Sequence, residues 1–298
     1  MSDDGREALT VIAFVGNVFS PYYAAARRRG GADPQDHCAL NVAVYGERGK
    51  HWSMTERGRD ATRRAYDRFV VGPSTVAWSG DRLTLQIDEI AVPWPRRIRG
   101  EVRLEAAALF DHPVALDAAG RHHWTALAPC ARVEVDLEAP RRRWSGHGYL
   151  DMNAGDEPLE DAFVSWHWSR AALADGSTAV LYEVQRRALD RADDRKDDVA
   201  SFGLRFEPGG AVNSFVPPAP TALAATGWGI ERGTRADDPA RTRVQRTLED
   251  TPFYARSVLS QRLLGEDVTA VHESLSLDRF RTRWVQGLLP FRMPRRTR

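Results

Sequence analysis

Hydrophobic and polar residues alternate along much of the chain, in short runs that glycine, proline and acidic residues separate. The clearest runs put an apolar residue at every second position: Leu83, Leu85 and Ile87, then Val133, Val135 and Leu137. This alternation is typical of a β-strand with one buried face. Other runs with strand character are residues 38–45, 178–185, 200–206, 255–264 and 268–277.

Helical patterns are scarce, and only residues 22–29 and 277–289 have one. Many short strands, repeating about every ten residues with turns between them, favour antiparallel barrels or sandwiches. The strand pattern continues on both sides of Pro140. We therefore expect a mainly β protein with two barrel-like domains, residues 1–140 and 141–298, and a ligand site near their junction.

Composition narrows the class of protein further. The net charge of the 298 residues is +1, so no overall field favours nucleic acid. The two cysteines, Cys38 and Cys130, are far apart in sequence, which argues against a disulfide framework and for a reducing cytoplasm. A signal peptide is not evident, and no apolar run approaches the roughly 20 residues of a spanning helix. We expect a cytoplasmic protein that is soluble or bound peripherally to a membrane.

The most unusual stretch is residues 144–168, which combines three tryptophans, two histidines and several acids. On an extended strand Tyr149 and Asp151 share a side. If Trp166 or Trp168 walls an apolar space there, desolvation raises the pKa of Asp151, and the carboxyl group becomes a general acid. The alternative is that Asp151 caps a turn at residues 152–155 while Tyr149 merely packs.

A second candidate cluster is the run Arg121-His122-His123-Trp124. On a strand His122 and Trp124 share one side and His123 faces the other. A metal site needs three or four converging ligands, and no His-x-His or Glu-x-x-His spacing occurs here. No metal or cofactor is therefore expected. Cys38, which follows His37, could be a nucleophile, but a buried small hydrophobic residue is the preferred interpretation.

Four long motifs carry a resemblance to a known family. They are Phe-Val-Gly-Asn-Val-Phe-Ser-Pro-Tyr-Tyr at residues 14–23, Asp-His-Cys-Ala-Leu-Asn-Val-Ala-Val-Tyr-Gly at 36–46, Met-Thr-Glu-Arg-Gly at 54–58 and Gly-His-Gly-Tyr-Leu-Asp-Met-Asn-Ala-Gly at 146–155. With these motifs the chain resembles the carotenoid 1,2-hydratase (hydroxyneurosporene synthase) family over residues 14–277. Asn17 and Ala25 stand where serine and tryptophan are expected, which affects the shape of a neighbouring wall.

The resemblance implies a cofactor-independent hydro-lyase, typical of photosynthetic bacteria, that adds water to the terminal C1=C2 bond of acyclic carotenoids such as neurosporene and lycopene. It also implies a pair of lipocalin-like β-barrels. The family's catalytic positions fall on Asp151, Tyr149, His122 and Trp124. Substrate contacts are expected from Trp166, Trp168, His147 and Tyr22.

A mechanism and its alternatives follow from this resemblance. Asp151 would protonate C2 with help from Tyr149, Trp124 would face the cation, and His122 would orient water. The apolar substrate implies peripheral contact with the inner or an intracytoplasmic membrane, through residues 284–291 and the basic tail 292–298. Two alternatives stay open: a non-catalytic lipocalin-like carrier of apolar ligands, and a related pericyclase.

Overall fold

The computed structural model describes residues 1–187 and 198–296, and these form a mainly β protein. Its first strands are β1 (Ala8–Phe14), β2 (Cys38–Tyr45), β3 (His51–Arg57), β4 (Thr62–Arg64), β5 (Arg68–Val71), β6 (Ser74–Ser79), β7 (Arg82–Ile90), β8 (Arg97–Ala106), β9 (Val114–Ala115), β10 (His122–Ala139) and β11 (Arg142–Gly155). The later strands are β12 (Phe163–Ala172), β13 (Thr178–Arg186), β14 (Val199–Phe206), β15 (Val212–Phe215), β16 (Pro220–Leu223), β17 (Arg232–Arg235), β18 (Arg243–Asp250), β19 (Tyr254–Leu263), β20 (Glu266–Ser276) and β21 (Arg295–Arg296).

The α-helices are few and short: α1 (Pro21–Arg28), α2 (Leu159–Ala162), α3 (Leu277–Phe280) and α4 (Arg283–Arg292). Ser20 caps α1, because its hydroxyl accepts the N–H groups of Tyr22 and Tyr23. Both helical patterns in the sequence are thus confirmed. Within the described residues, no helix is long and apolar enough to span a bilayer.

Two large antiparallel sheets account for most of the strands. The first has the order β11-β10-β8-β7-β6-β5-β4, and the second, which we call the second sheet, has the order β15-β14-β13-β12-β20-β19-β18. Leu83, Leu85 and Ile87 are all buried on β7, as their alternation predicts. A smaller sheet has the strand order β1-β2-β3-β21, and β16 pairs with β17 in a two-stranded sheet. The strands dominate the described residues, so the mainly β class is confirmed. Within these residues no sheet closes on itself, and barrel closure is therefore not seen.

Contacts between Cα atoms group the chain into two compact units that interleave in sequence. Unit 1 contains residues 1–106, 131–149 and 286–298, and unit 2 contains residues 107–130 and 150–285. Strands β10 and β11 each contribute residues to both units. The consecutive domains 1–140 and 141–298 stay a prediction.

The core of unit 2 has one aliphatic cluster on a face of the second sheet. Its buried members are Ala171, Leu173, Ala179, Leu181, Leu259, Leu263, Val268 and Ala270. Apart from Leu173, which directly follows β12, these residues lie an even number of positions apart on β12, β13, β19 and β20, so they point to the same face. The positions between them point to the opposite face, where the candidate site lies.

Candidate active site

Trp124 and Asp151 form the centre of the candidate site in unit 2. The indole Nε1 of Trp124 on β10 donates a hydrogen bond to Oδ2 of Asp151 on β11, at 2.8 Å. Trp124 has an exposed fraction of 0%, and Asp151 is half-buried. Because β11 continues to Gly155, the interpretation in which Asp151 caps a turn at residues 152–155 is wrong. The acid instead lies on a strand with an aromatic donor.

Aromatic rings surround the indole of Trp124. Its ring centroid lies 5.7 Å from Tyr182, 5.8 Å from Phe202 and 6.3 Å from Phe206. Tyr182 also stacks on Phe202 at 5.4 Å. Contacts at these distances are favourable beyond the burial of area, and they fix the ring orientations. Asp151 therefore has an apolar, rigidly packed group of rings on the side where it contacts Trp124.

The register of the second sheet explains how these rings meet. Trp168 on β12 pairs with Tyr182 on β13, and Tyr182 pairs with Phe202 on β14. Paired residues of antiparallel strands point to the same face. Trp168 pairs on its other side with Glu273 of β20, so an acid continues the row.

Tyr182 keeps its proton at this position. Its pKa is raised strongly, first because the side chain is buried, and further by electrostatic interaction with the carboxyl groups of Asp151 and Glu273. Glu273 itself is held by Arg256, whose Nε donates to Oε1 at 2.8 Å. Tyr182 therefore brings a neutral hydroxyl to the same face of the sheet as Glu273.

His122 is buried on the same strand as Trp124, two residues earlier. Its Nδ1 lies 2.9 Å from Oδ2 of Asp117, and its Nε2 lies 3.3 Å from the carbonyl oxygen of Glu157. A Cβ on Gly155 would come within 2.6 Å of the His122 ring, so a glycine is needed there. Asp117 is thus positioned to orient the imidazole.

The pKa of the Asp117 carboxyl group is lowered despite partial burial, which alone would raise it. Hydrogen bonds from the backbone N–H of Arg121, from the His122 ring and from the His122 N–H outweigh the desolvation. Asp117 is consequently ionised at neutral pH. It offers His122 a negative partner.

The two tryptophans expected to wall the site both lie on β12, on one face because they are two residues apart. Trp168 is buried and borders Tyr182 in the sheet register. Trp166 packs edge-on against Phe163 at 6.2 Å, and Phe163 packs against His122 at 4.9 Å. Each tryptophan is therefore linked to the site by one intervening ring.

The other expected residues lie in unit 1. Tyr149 is half-buried on β11, two residues before Asp151, and His147 is exposed on the same strand. Tyr22 lies on α1, and its ring centroid is 6.0 Å from the guanidinium of Arg295. Their roles in catalysis or substrate contact stay predictions.

The site also contains residues that have no counterpart among the sequence predictions, among them Asp117, Tyr182 and Phe202. Asp117 begins a turn that ends at Gly120. An aspartate followed by a glycine turn often accepts hydrogen bonds from the next backbone N–H groups, as Asp117 does from Arg121, and this signal could have found it. Tyr182 and Phe202 sit in alternating strands, but the sequence does not say which strands are neighbours. No signal in the sequence distinguishes them from core aromatics.

The fold and the site together define a class: a mainly β protein that holds a carboxyl group among aromatic rings. Within the described residues, no group of three or more His, Cys, Asp or Glu side chains could hold a metal ion. A carboxyl group in such surroundings suits proton transfer to an apolar molecule.

Comparison with known proteins gives the family. The model of the carotenoid hydratase CrtC family matches residues 11–298. The chain is 55% identical to the acyclic carotenoid 1,2-hydratase of Thiocapsa roseopersicina, covering 99% of this chain and 71% of that protein. It is 39% identical to the acyclic carotenoid 1,2-hydratase of Cereibacter sphaeroides, covering 96% and 98%. The chain therefore belongs to the carotenoid hydratase CrtC family.

Two solved structures share the fold at low sequence identity. An AttH protein from Nitrosomonas europaea superposes with a TM-score of 0.59 at 11% identity, covering 92% of this chain and 88% of that one. Kievitone hydratase from Nectria haematococca superposes with a TM-score of 0.50 at 10% identity, covering 93% and 87%. These likenesses concern the fold alone.

Proposed function

We propose that this protein is an acyclic carotenoid 1,2-hydratase, which adds water to the terminal C1=C2 double bond of a substrate such as neurosporene or lycopene. Membership of the family and the high identity to named hydratases support the reaction. The observation that carries the mechanism is the hydrogen bond from Trp124 to Asp151 within a wall of aromatic rings.

The first step is protonation of the alkene by Asp151. Oδ2 of the carboxyl group accepts the indole N–H of Trp124, so the acidic proton resides on Oδ1. That proton and the π electrons of the alkene form a C–H bond at C2, which leaves a tertiary cation at C1 and an Asp151 carboxylate. Because a donor fixes Oδ2, the proton-bearing oxygen points in one direction.

The second step is capture of the cation by water. Aromatic faces attract a cation by on the order of 2 kcal/mol when water is excluded, and Trp124, Tyr182 and Phe202 offer such faces. Water forms the C1–O bond and loses a proton to Nε2 of His122, which is free to accept it once its 3.3 Å contact with the Glu157 carbonyl opens, while Asp117 holds Nδ1–H. Solvent returns a proton to Asp151, so the sum is the addition of one water and no cofactor is consumed.

The remaining residues have supporting roles in this proposal. Tyr149 assists Asp151 with a hydrogen bond, and Trp166 and Trp168 line the path of the polyene. His147 and Tyr22 contact more distant parts of the substrate. Two lipocalin-like domains with a boundary near Pro140 remain part of the proposal.

The substrate also defines the location of the protein. A long polyene partitions into lipid and not into water, so we include peripheral contact with the inner or an intracytoplasmic membrane from the cytoplasmic side. No nucleic-acid partner is part of the proposal, in keeping with the net charge of +1.

The test is incubation of purified protein with lycopene and neurosporene in detergent micelles made in ¹⁸O-labelled water. Wild-type protein should give products that gain one labelled water. Asp151→Asn should lower turnover by about 10³-fold or more, because general acid catalysis typically contributes this much. Asp161→Asn, which changes an exposed acid on α2, is the matched control and should leave turnover unchanged.

The outcomes separate the competing functions. Wild-type protein that binds lycopene without any gain of mass would favour the carrier. A product of unchanged mass but altered absorption would favour the pericyclase. If Asp151→Asn keeps a tenth or more of the wild-type turnover, the assignment of the acid is wrong.

A further inference from the structure

An exposed apolar face runs along helix α4. Trp284, Leu288 and Phe291 are exposed at 49%, 43% and 78%, although all three are large and hydrophobic. Their spacing of four and three residues puts them on one side of the helix. Val285 and Leu289 on the other side are buried. Helix α4 thus packs one apolar side against the protein and leaves a second apolar side exposed.

A second tryptophan joins this face from a separate segment of unit 2. Trp228 is 48% exposed, and its ring stacks on Trp284 with centroids 6.2 Å apart and planes 25° apart. Two large rings therefore remain about half accessible even though they cover each other. Exposed aromatic patches of this kind mark interaction sites.

The turn that carries Trp228 is held in place by hydrogen bonds. Gly229, at φ +72°, donates its N–H to the carbonyl of Thr226 at 2.9 Å. The N–H of Trp228 meets Oδ2 of Asp250 at 3.3 Å, and Arg279 donates to the carbonyl of Gly229 at 3.0 Å. The indole pair is consequently presented in one fixed orientation.

Positive charge precedes the apolar face. Arg281 and Arg283 are exposed just before and at the start of α4. The nearby acid Asp278 is already bound by Arg187 at 2.6 Å. A pair of exposed cations beside exposed indoles is the pattern expected of a surface that meets anionic headgroups.

The arginines after the apolar face point elsewhere. The Arg292 guanidinium covers the Trp52 ring at 4.5 Å, and Arg295 binds Glu56 and the carbonyl of Asp36. Residues 297 and 298 of the basic tail lie outside the described residues. The charge for a membrane contact is thus better supplied by residues 281–283 than by the tail 292–298 predicted from the sequence.

We infer that Trp228, Trp284, Leu288 and Phe291, with Arg281 and Arg283, form a docking surface for an anionic lipid bilayer. This inference rests on the proposed function, because an enzyme without bulk access to its substrate must collect a polyene from lipid. Indole rings are favoured at the level of the headgroups, while leucine and phenylalanine enter the acyl region. The surface holds the enzyme where the substrate is dissolved.

The experiment measures binding of the full chain to vesicles of phosphatidylcholine and phosphatidylglycerol, without carotenoid, by flotation. Trp228→Ser combined with Trp284→Ser should lower the partition coefficient at least tenfold, and Phe291→Ser alone should lower it severalfold. Arg281→Gln with Arg283→Gln should lower binding to anionic vesicles but not to neutral ones. Tyr66→Ser with Trp94→Ser, which removes two exposed rings elsewhere, is the matched control.

A second assay separates this inference from the proposed function. In detergent micelles the double tryptophan variant should hydrate lycopene at the wild-type rate. If wild-type protein does not hydrate lycopene in micelles, the proposed function fails. If the double variant is folded by circular dichroism and still floats like wild type, the docking surface is wrong. It is also wrong if light scattering shows that the face joins two copies of the chain and vesicle binding is unchanged.

Discussion

The two faces of the second sheet differ in chemistry although the same strands form both. One face carries Trp168, Tyr182 and Phe202, which lie in register across β12, β13 and β14. The other face carries the aliphatic cluster of unit 2 and, on the same strands, His167, Ser169, His272 and Ser274, and we call this part of it the polar face. On the first face Glu273 continues the row of aromatic rings, and Asp151 accepts a hydrogen bond from Trp124, which packs on that face. A buried polar group is therefore not evidence of a catalytic site by itself.

The polar face is buried and largely satisfied by its own hydrogen bonds. His167 Nδ1 lies 2.9 Å from the Ser274 hydroxyl, and the His167 and His272 rings stack 6.0 Å apart. His272 Nε2 lies 2.7 Å from the carbonyl of Gly233 on β17, so the β16–β17 hairpin is tied to this face. A cavity of about 20 Å³ next to these residues is large enough for one water. This face fastens a hairpin to the sheet.

Arg232 gives the strongest test that the polar face serves stability. Its buried guanidinium donates to Ala224 O at 2.7 Å, Thr247 Oγ1 at 3.0 Å and Ser257 Oγ at 3.1 Å. Arg232→Met leaves the buried Ser257 hydroxyl without this donor and also removes the bonds to Ala224 and Thr247, which are exposed residues. The free energy of unfolding should therefore fall by about 3 kcal/mol, because a hydrogen bond to a charged group contributes about 1.5–3 kcal/mol. Urea unfolding measures this, with exposed Arg243→Met as the control.

Turnover completes the Arg232 test. The part of the Arg232→Met protein that remains folded should hydrate lycopene at the wild-type rate, because the guanidinium does not face Asp151. A large loss of turnover without a loss of stability would show that the two faces are not functionally separate.

Trp124→Phe tests the aromatic face with a smaller expected effect. The substitution removes the indole N–H that binds Asp151 Oδ2 and keeps an aromatic ring. Loss of one fixed donor at a reacting group costs about 10²-fold in turnover. The steady-state rate with lycopene in micelles checks this. Trp144→Phe, which removes an indole elsewhere on β11, is the control and should behave like wild type.

The difference between the two faces also separates what a sequence can predict from what it cannot. The every-second-residue pattern predicted most strands, and the pairs Tyr149/Asp151 and His122/Trp124 follow from the same local rule. Helix α4 and the hairpin of β19 and β20 were likewise predicted, because their signals are local. Cys38 is buried, and burial raises the pKa of its thiol, in agreement with a packing role.

The pairing of strands that are distant in sequence could not be predicted from the sequence. β12 pairs with β20, about a hundred residues further along the chain, and this pairing sets which side chains share a face with Trp168. That pairing brings Glu273 into the row of Trp168. Tyr182 and Phe202 join the site because their rings pack against Trp124 of β10, which belongs to the other large sheet. Parallel pairing of β21 with β3, which turns the basic tail toward Glu56, has no local signal either. Packing of distant strands, and not alternation, decides these neighbours.

The pH dependence of stability should come from the polar face. Burial lowers the pKa of His272 to about 3, and the neighbouring His167 adds to this effect, while the hydrogen bond with Gly233 opposes it. Unfolding restores an ordinary pKa near 6.5, so the unfolded chain binds more protons below that pH. Stability is then constant above pH 6.5 and falls as the pH decreases towards 3.

The magnitude follows from the two pKa values. For His272 alone the free energy of unfolding should be about 2 kcal/mol lower at pH 5 than at pH 8. Urea unfolding at both pH values checks this. His272→Gln, which can still donate to Gly233, should flatten the difference. An equally steep loss in that variant would assign the acid sensitivity to other groups.

Tyr182→Phe has the smallest expected effect and separates the ring of Tyr182 from its hydroxyl. The strongly raised pKa keeps the hydroxyl neutral, so it can act only as a neutral hydrogen-bonding group beside Asp151 and Glu273. The phenylalanine ring preserves the contacts with Trp124 and Phe202, and turnover should fall by about tenfold or less, the worth of one hydrogen bond. Measured kcat should fall while KM stays constant if the hydroxyl acts in the transition state. A change in KM alone would mean that Tyr182 only shapes the aromatic wall.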